Sequence, residues 1–497
     1  MVGLPALLAR HQPALPLPAL PVTDVCQNSA QAMPGVAFFC LRGSHTDGHR
    51  YAADAYARGA RIFFTEERLP LPADAWQWVL PDTRRAYALA CAAFFGNPAD
   101  TMTLIGITGT KGKTTTAAYL HAILQQGGIS AGLIGTAGMK IGDLALPPAE
   151  NTTPDSRILH AHLAKMRKVG ISVAVLEVSS QAVWQSRVAG LRFDRAIFTN
   201  LSYDHIGERE HPDFAHYKAC KKSVFSVCRL GFLNRADAAA KEFAAVCPAY
   251  RTYAVAEDAD YTADHLRPFS APSCLGITFT AKERAGVRAP GSAESTQEIL
   301  LQNGGAHNVQ NALAAIACAR DLGIGWETIA HALETVTVCG RGEVTDVDGV
   351  RVIIDYAHNA AALEAILHTL RAYRPQRLFC LFGSVGERTK CRRYAMGAVA
   401  AMGADYCILT SDDPGTEAPE EILREIASAF EERPKACPFQ IIPDRATAIR
   451  TVMEMARPGD FVLLAGKGHE KTQHIGERHI PFCERELVLS FAKSTPS

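Results

Sequence analysis

Short apolar runs recur along the chain, each followed by a glycine-bearing or polar turn and then by a stretch in which apolar residues return every three or four positions. Runs at 36–41, 60–64, 104–107, 131–134, 173–178, 195–199, 352–356, 377–382, 405–410 and 460–465 predict strands. The periodic stretches 52–59, 84–95, 116–125, 156–169, 308–322, 326–335, 361–373, 395–402, 419–430 and 445–455 predict helices. Runs such as Val173-Ala174-Val175-Leu176 do not alternate with polar residues, as expected of strands covered on both faces. The alternation of strand and helix predicts an α/β fold with mainly parallel sheets. Only 251–301 departs from it, reading as short strands punctuated by Gly and Pro.

Two breaks divide the pattern, Gly96-Asn97-Pro98 and Val338-Cys339-Gly340-Arg341-Gly342. They predict a small α/β domain at 1–99, a central domain with a parallel sheet at 100–338 and a Rossmann-like domain at 339–497. Three domains suit 497 residues, at roughly 100–200 residues each. Ligands are expected at the carboxyl ends of the strands. Repeats and low-complexity segments are absent.

Composition then removes several classes of function. The 51 basic and 51 acidic residues balance, so no general affinity for nucleic acid or an anionic membrane is expected. The 14 cysteines are scattered with no CxxC pair, which suits reduced thiols in a cytoplasmic protein. Cys220 and Cys339 are expected to be small buried hydrophobes. The apolar start, 1–21, is broken by Pro5, Pro13, Pro16 and Pro18, so neither a signal peptide nor a membrane span is expected.

The chemistry begins at Gly109-Thr110-Lys111-Gly112-Lys113-Thr114-Thr115, between a strand and a helix. Glycines at the bend let backbone N–H groups converge on phosphate oxygens, Lys113 reaches the terminal phosphates and Thr114 offers a hydroxyl to Mg²⁺. A nucleoside triphosphate is the expected substrate. Glu177-Val178-Ser179-Ser180 and Thr199-Asn200-Leu201-Ser202-Tyr203-Asp204-His205 follow two further strands, so Glu177 and His205 are candidate ligands of Mg²⁺ at the same sheet edge. Lys221 and Lys222 share one helical stretch, and nothing in the pattern chooses between them.

These segments, with Asn151-Thr152-Thr153-Pro154, Asp355-Tyr356-Ala357-His358-Asn359 and Gly466-Lys467-Gly468-His469-Glu470, resemble the Mur ligase family in order and spacing from about Ser29 to Glu470. The likeness is greatest to the branch that makes the UDP-N-acetylmuramoyl tripeptide of peptidoglycan precursors. It implies a UDP-substrate domain, an ATP-binding domain and an amino-acid domain, in that order. ATP would phosphorylate the D-glutamate carboxylate of UDP-N-acetylmuramoyl-L-alanyl-D-glutamate, and the amine of a free amino acid would displace phosphate from the acyl phosphate. Positioning and charge neutralisation would then dominate catalysis, with Lys113, Thr114, Glu177 and His205 supplying them.

The resemblance also implies that Lys221 is carbamylated and joins Thr114, Glu177 and His205 in holding Mg²⁺. It places Asn308 by the adenine, and Arg341 and His358 on ATP. Ser29, Ser44, His45, Thr46, Asn151, Thr152, Thr153, Ser179, Gln185 and Arg187 fall at UDP-substrate positions, Arg187 being suited to an anion by its permanent charge. Arg388, Asp412, Asp413, Gly466 and Glu470 fall at amino-acid positions.

Several residues depart from the family pattern. Ala30 follows Ser29 where an arginine is usual, Gln181 stands for a histidine, and Cys339 and Ala360 stand for prolines. Gly415, in Ser411-Asp412-Asp413-Pro414-Gly415, replaces the arginine that clamps the distal carboxylate of meso-diaminopimelate. A diamino acid without that carboxylate, such as L-lysine, gains weight, with diaminopimelate held by another residue as the alternative. A related ligase acting on another carboxylate, in the manner of folylpolyglutamate or cyanophycin synthetases, is the nearest rival. An ATP-driven switch has no use for the Gly466-to-Glu470 segment.

Overall fold

The computed structural model describes residues 2–10, 20–43, 46–142, 144–147, 149, 151–207, 210–271, 273–387, 390–476 and 478–492. Their contacts divide the chain into two units, residues 1–253 with 314–325, and residues 254–313 with 326–497.

The first unit holds two sheets. Strands Asp24–Cys26, Val36–Phe39, Ile62–Thr65 and Trp76–Val79 pair in that order, all parallel. Helix Thr83–Phe94 begins at Asp82, whose carboxylate accepts from the Arg85 N–H, and covers one face of the sheet with Tyr87, Ala90 and Cys91. The apolar start belongs here too. Strand Val2–Gly3 pairs with Pro21–Val22, and helix Leu4–Leu8 buries Leu4, Leu7 and Leu8 against Val25, Phe39 and Tyr87.

The second sheet of this unit runs Leu144–Leu146, Gly138–Ile141, Ala131–Gly135, Val173–Glu177, Thr103–Thr108, Phe193–Phe198, Cys228–Asn234 and Tyr250–Val255. It is parallel from Ala131–Gly135 onward, and its inner strands are buried throughout, as their unbroken apolar runs predict. Thr103–Thr108 lies between Val173–Glu177 and Phe193–Phe198. That strand order brings three loops, at 109–112, 178–179 and 199–205, to one edge. Helix Lys113–Gln126 starts three residues earlier than its apolar periodicity predicts, because Gly112 caps it with φ +83°.

In the second unit, Tyr261–Ala271, Cys274–Glu283 and Ser295–Leu301 form an antiparallel ribbon. These strands have 11, 10 and 7 residues, so the expectation of short strands is corrected. Pro268 stays inside its strand beyond a register slip between Asp264 and Arg267, so proline here does not mark a strand end. A six-stranded sheet follows, ordered Glu343–Val347, Val350–Asp355, Phe461–Ala465, Leu378–Phe382, Tyr406–Leu409 and Phe439–Ile441, parallel apart from its first strand. Ala360–Arg371, Cys391–Gly403 and Pro419–Glu431 pack Leu363, Met396 and Ile426 on one face. Arg445–Met455 and Glu484–Ala492 place Ile449, Val452 and Val488 on the other. Helices Trp326–Thr335 and Arg445–Met455 have their expected bounds, and Ala306–Asp321 is also helical.

Cys220 is buried as expected, but Cys339 is exposed, because it sits in the turn between helix Trp326–Thr335 and strand Glu343–Val347. Among the described residues, no helix is long and apolar enough to cross a membrane.

Candidate functional site

The loop after Thr103–Thr108 is braced from the neighbouring strand. Thr199 Oγ1 and Asn200 Nδ2 donate to the Lys111 carbonyl at 2.6 and 3.0 Å, while Asn200 Oδ1 accepts from the Lys111 N–H at 2.9 Å. Thr110 Oγ1 meets the Tyr217 hydroxyl at 2.9 Å. Gly109 has φ +151°, and a Cβ there would stand 1.9 Å from Thr199 Oγ1, so only glycine lets the two strands' loops approach this closely.

Two lysines converge on this bend. Lys113 Nζ donates to the Gly109 and Thr110 carbonyls at 2.7 and 3.1 Å, and Lys221 Nζ donates to the same Gly109 carbonyl at 2.8 Å. Lys221 comes from helix Phe214–Ser226 and is fully buried, whereas Lys222 is partly exposed. Burial, and then the Lys113 charge, holds the Lys221 amine well below the ordinary ammonium range.

Thr114 Oγ1 donates to Glu177 Oε2 at 2.9 Å. This pair of hard oxygen ligands fits Mg²⁺. The Glu177 carboxylate also accepts from the Thr136 N–H and hydroxyl, at 3.0 and 3.2 Å, and the Thr136 and Thr152 hydroxyl oxygens meet at 3.0 Å. The Glu177 carbonyl accepts from Thr153 Oγ1 at 2.8 Å, and Thr153 Oγ1 in turn accepts from the Ser179 N–H at 2.9 Å. Arg187 Nη1 closes the chain on the Thr153 carbonyl at 2.9 Å, with Nη2 on Gln185.

Beside this chain lies a cleft of about 170 Å³ lined by Gln27, Leu41, Arg84, Tyr87, Asn151, Asp155, Ser156, Gln185 and Arg187. Asp155 joins its walls, accepting from Gln27 Nε2 at 2.6 Å and the Tyr87 hydroxyl at 3.1 Å. Arg157 grips Asp24 through Nε and Nη2 at 3.0 and 2.5 Å. Burial pulls the Arg84 guanidinium below its ordinary value, so an anion beside it is favoured.

In the second unit, Lys467 has no exposed side-chain surface and gathers acidic groups from two loops. Its Nζ lies 2.7 Å from Asp413, 2.6 Å from Glu470 and 3.9 Å from Asp412. The Tyr356 hydroxyl donates to Glu470 at 3.0 Å. Burial pushes Asp412 and Asp355 up to about 6. The Asp355 carboxylate accepts from the Gly342 N–H at 2.8 Å and its carbonyl from the Gly466 N–H at 3.0 Å. Arg341 stacks over the Tyr356 ring at 4.7 Å, and His358 Nδ1 meets the Tyr356 carbonyl at 2.9 Å.

Family models described as Mur ligase family, catalytic domain, Mur ligase middle domain and Mur ligase, glutamate ligase domain match residues 21–100, 107–319 and 340–468. The chain is 35% identical, over 95% of each chain, to the UDP-N-acetylmuramoyl-L-alanyl-D-glutamate--2,6-diaminopimelate ligase of Caldanaerobacter subterraneus. It is 36% identical to the ligase of that name from Geobacillus thermodenitrificans, over 94% of each chain. The chain belongs to the Mur ligase family. A solved structure of a UDP-N-acetylmuramoyl-L-alanyl-D-glutamate--2,6-diaminopimelate ligase superposes on this Mur ligase with a TM-score of 0.68, at 28% identity and 99% coverage of both chains. Membership makes it an ATP- and Mg²⁺-dependent ligase that joins an acid to an amine.

The structure of this Mur ligase brings together Gly109, Thr110, Lys111, Lys113, Thr114, Glu177 and Lys221. It also gathers Thr152, Thr153, Ser179, Gln185 and Arg187, with Asn151 on the cleft wall. The His205 ring meets Glu210, with Nδ1 at 3.0 Å, and its backbone is left-handed at φ +57°. Asp204 pairs with Lys111 at 3.1 Å. Ser29 is buried, its hydroxyl on the Asp54 carboxylate, and is not among the residues lining the cleft. The Thr46 carbonyl accepts from the Gly43 N–H at 2.8 Å. Asn308, in the first turn of helix Ala306–Asp321, donates to the Gly304 carbonyl at 2.9 Å. Ser44, His45 and Arg388 lie outside the described residues.

Sequence reasoning missed Gln27, Arg84, Tyr87 and Asp155 in the cleft, and Lys467 among the carboxylates. Only Lys467 carried a local signal, a lysine between two glycines at a strand end.

Proposed function

We propose that this ligase adds a diamino acid, L-lysine or meso-diaminopimelate, to the D-glutamate carboxylate of UDP-N-acetylmuramoyl-L-alanyl-D-glutamate in the cytoplasm, during peptidoglycan precursor synthesis. A carboxylate oxygen attacks the γ-phosphorus of ATP and ADP leaves. The amine then attacks the acyl carbon, inorganic phosphate leaves, and an amide remains.

The observation that carries this reading is the run of hydrogen bonds from Thr114 through Glu177 to Thr136, Thr152, Thr153 and Arg187. Phosphorylating a carboxylate requires the phosphate loop and the acid's binding segment to be fixed relative to each other, and Glu177 belongs to both. The names of the relatives point to the same acid. In this reading Lys113 neutralises the phosphate oxygens, Arg187 and Arg84 meet the anionic end of the UDP substrate, and Lys467 orders the carboxylates that receive the amino acid's ammonium group. Mg²⁺ held by Thr114 and Glu177 supplies charge neutralisation at the phosphates.

Lys221 is assigned a carbamate. Its burial disfavours the ammonium form, and the neutral amine is the form that adds carbon dioxide, giving a carboxylate and releasing a proton.

The experiment measures phosphate release from ATP with UDP-N-acetylmuramoyl-L-alanyl-D-glutamate, with and without a panel of amino acids, and detects tripeptide by mass. Release that requires both partners, with a tripeptide of lysine or diaminopimelate mass, is expected. Release indifferent to both would overturn the assignment.

A further inference from the structure

One cluster of soft donors has no part in the chemistry above. His211 is buried in the loop before helix Phe214–Ser226, and His216 and Cys220 lie on that helix four residues apart, on one face. His211 Nδ1 and His216 Nδ1 face each other at 2.8 Å, and Cys220 Sγ is 3.9 Å from the same His216 nitrogen. All three donor atoms fall within 4.8 Å of one another. We propose that His211, His216 and Cys220 form a binding site for Zn²⁺.

The geometry requires little adjustment. A tetrahedral ion with bonds of about 2.0–2.1 Å to nitrogen and about 2.3 Å to sulfur sets N···N near about 3.3 Å and N···S near about 3.6 Å. The two separations at His216 are within about half an ångström of these values, a shift that side-chain rotation supplies, and His211 Nδ1 and Cys220 Sγ lie within 4.8 Å of each other.

The surroundings are those of a metal site. His211 Nε2 meets Ser180 Oγ at 2.9 Å. A hydroxyl accepting from Nε2–H leaves the Nδ1 lone pair directed at the cluster, the outer hydrogen bond that orients ligating histidines. The Trp184 ring lies 5.2 Å from both imidazoles and Tyr217 lies 5.3 Å from His211, so aromatic walls shield the donors. Two imidazoles and a thiolate select Zn²⁺ over Mg²⁺, which prefers oxygen ligands. The fourth position is left for water. Because Cys220 precedes Lys221, the ion would tie the helix that carries this lysine to the loop before it.

The test titrates the chelator-treated full chain with Co²⁺ in excess Mg²⁺, which keeps the nucleotide site occupied. One equivalent should develop a thiolate-to-cobalt absorption in the near ultraviolet together with tetrahedral bands in the visible, and Zn²⁺ should bleach both. Cys220→Ala should lose the thiolate band, and His216→Ala should weaken Co²⁺ binding more than tenfold. Ser180→Ala keeps every ligand and should weaken binding by about tenfold or more; it decides the matter if a ligand variant fails to fold. A native chain without these bands, or bands that persist in both ligand variants, would overturn the site.

Discussion

Lys113 and Lys221 donate to one oxygen, the carbonyl of Gly109, from 2.7 and 2.8 Å. The cationic Lys113 and the buried amine of Lys221, from different helices, are thereby fixed at the bend of the phosphate loop. Lys113→Ala should lower kcat by about 10²–10³, the usual loss on removing one group that stabilises developing charge. Steady-state kinetics would show it, and near-normal turnover would refute the role.

Lys221→Ala should be as damaging as Lys113→Ala but partly restored by added formate or acetate, since a small carboxylate can stand in for a carbamate. Lys222→Ala, on the partly exposed side of the same helix, should be mild. Equal losses at both lysines, or no rescue, would count against carbamylation.

Arg84 and Arg187 line the cleft. Removing either should raise KM for the UDP substrate about tenfold to a hundredfold, as expected for a lost charge-assisted hydrogen bond of about 1.5–3 kcal/mol. The KM for ATP should change little. Parallel KM measurements on Arg84→Ala and Arg187→Ala check this, and a rise confined to ATP would remove the cleft from substrate binding.

His160 is buried with neither ring nitrogen hydrogen-bonded, and burial pushes it down to about 4 from 6.5. His121 is shifted the same way, to about 4. Between those pH values the unfolded chain binds more protons, so this stabilisation is complete above 6.5 and is lost as pH falls to about 4. Asp355 and Asp412, raised to about 6, act oppositely: their contribution is present below their ordinary value and is lost as pH rises through 6. His160→Phe should therefore flatten the fall of melting temperature between pH 6.5 and 4. An unchanged slope would refute the assignment.

Gly415 has φ +59° and joins the hairpin of Thr472–Ile475 and Arg478–Pro481: its N–H donates to the His474 carbonyl and its carbonyl accepts from Gly476. A Cβ in this left-handed conformation costs roughly 1–2 kcal/mol. Gly415→Ala should speed hydrogen exchange across 472–481, and protection equal to the parent's would show that the hairpin does not depend on it.

The long apolar runs made the buried parallel strands legible, because both faces of those strands carry the same message. Helix Lys113–Gln126 was read late because its first turn is polar and belongs to the phosphate loop. Strands Glu343–Val347 and Phe439–Ile441 escaped notice as sheet edges with little apolar content. Site residues within motifs were legible, whereas Arg84 and Tyr87 reach the cleft through the packing of one domain's helix on another's loop, which leaves no local pattern. His205 matched its motif, yet its ring is held by Glu210, a pairing that spacing alone does not reveal.

Three carboxylates around one sealed ammonium leave the Lys467 cluster with an unbalanced negative charge. An amine approaching this cluster is expected to be drawn in partly by that field before any contact forms. Its capture should weaken as salt is added, while the phosphate loop, where the fixed charges are positive, favours ligands of the opposite sign. Under the proposed roles, the amine and the anionic substrates would be sorted by polarity as well as by shape.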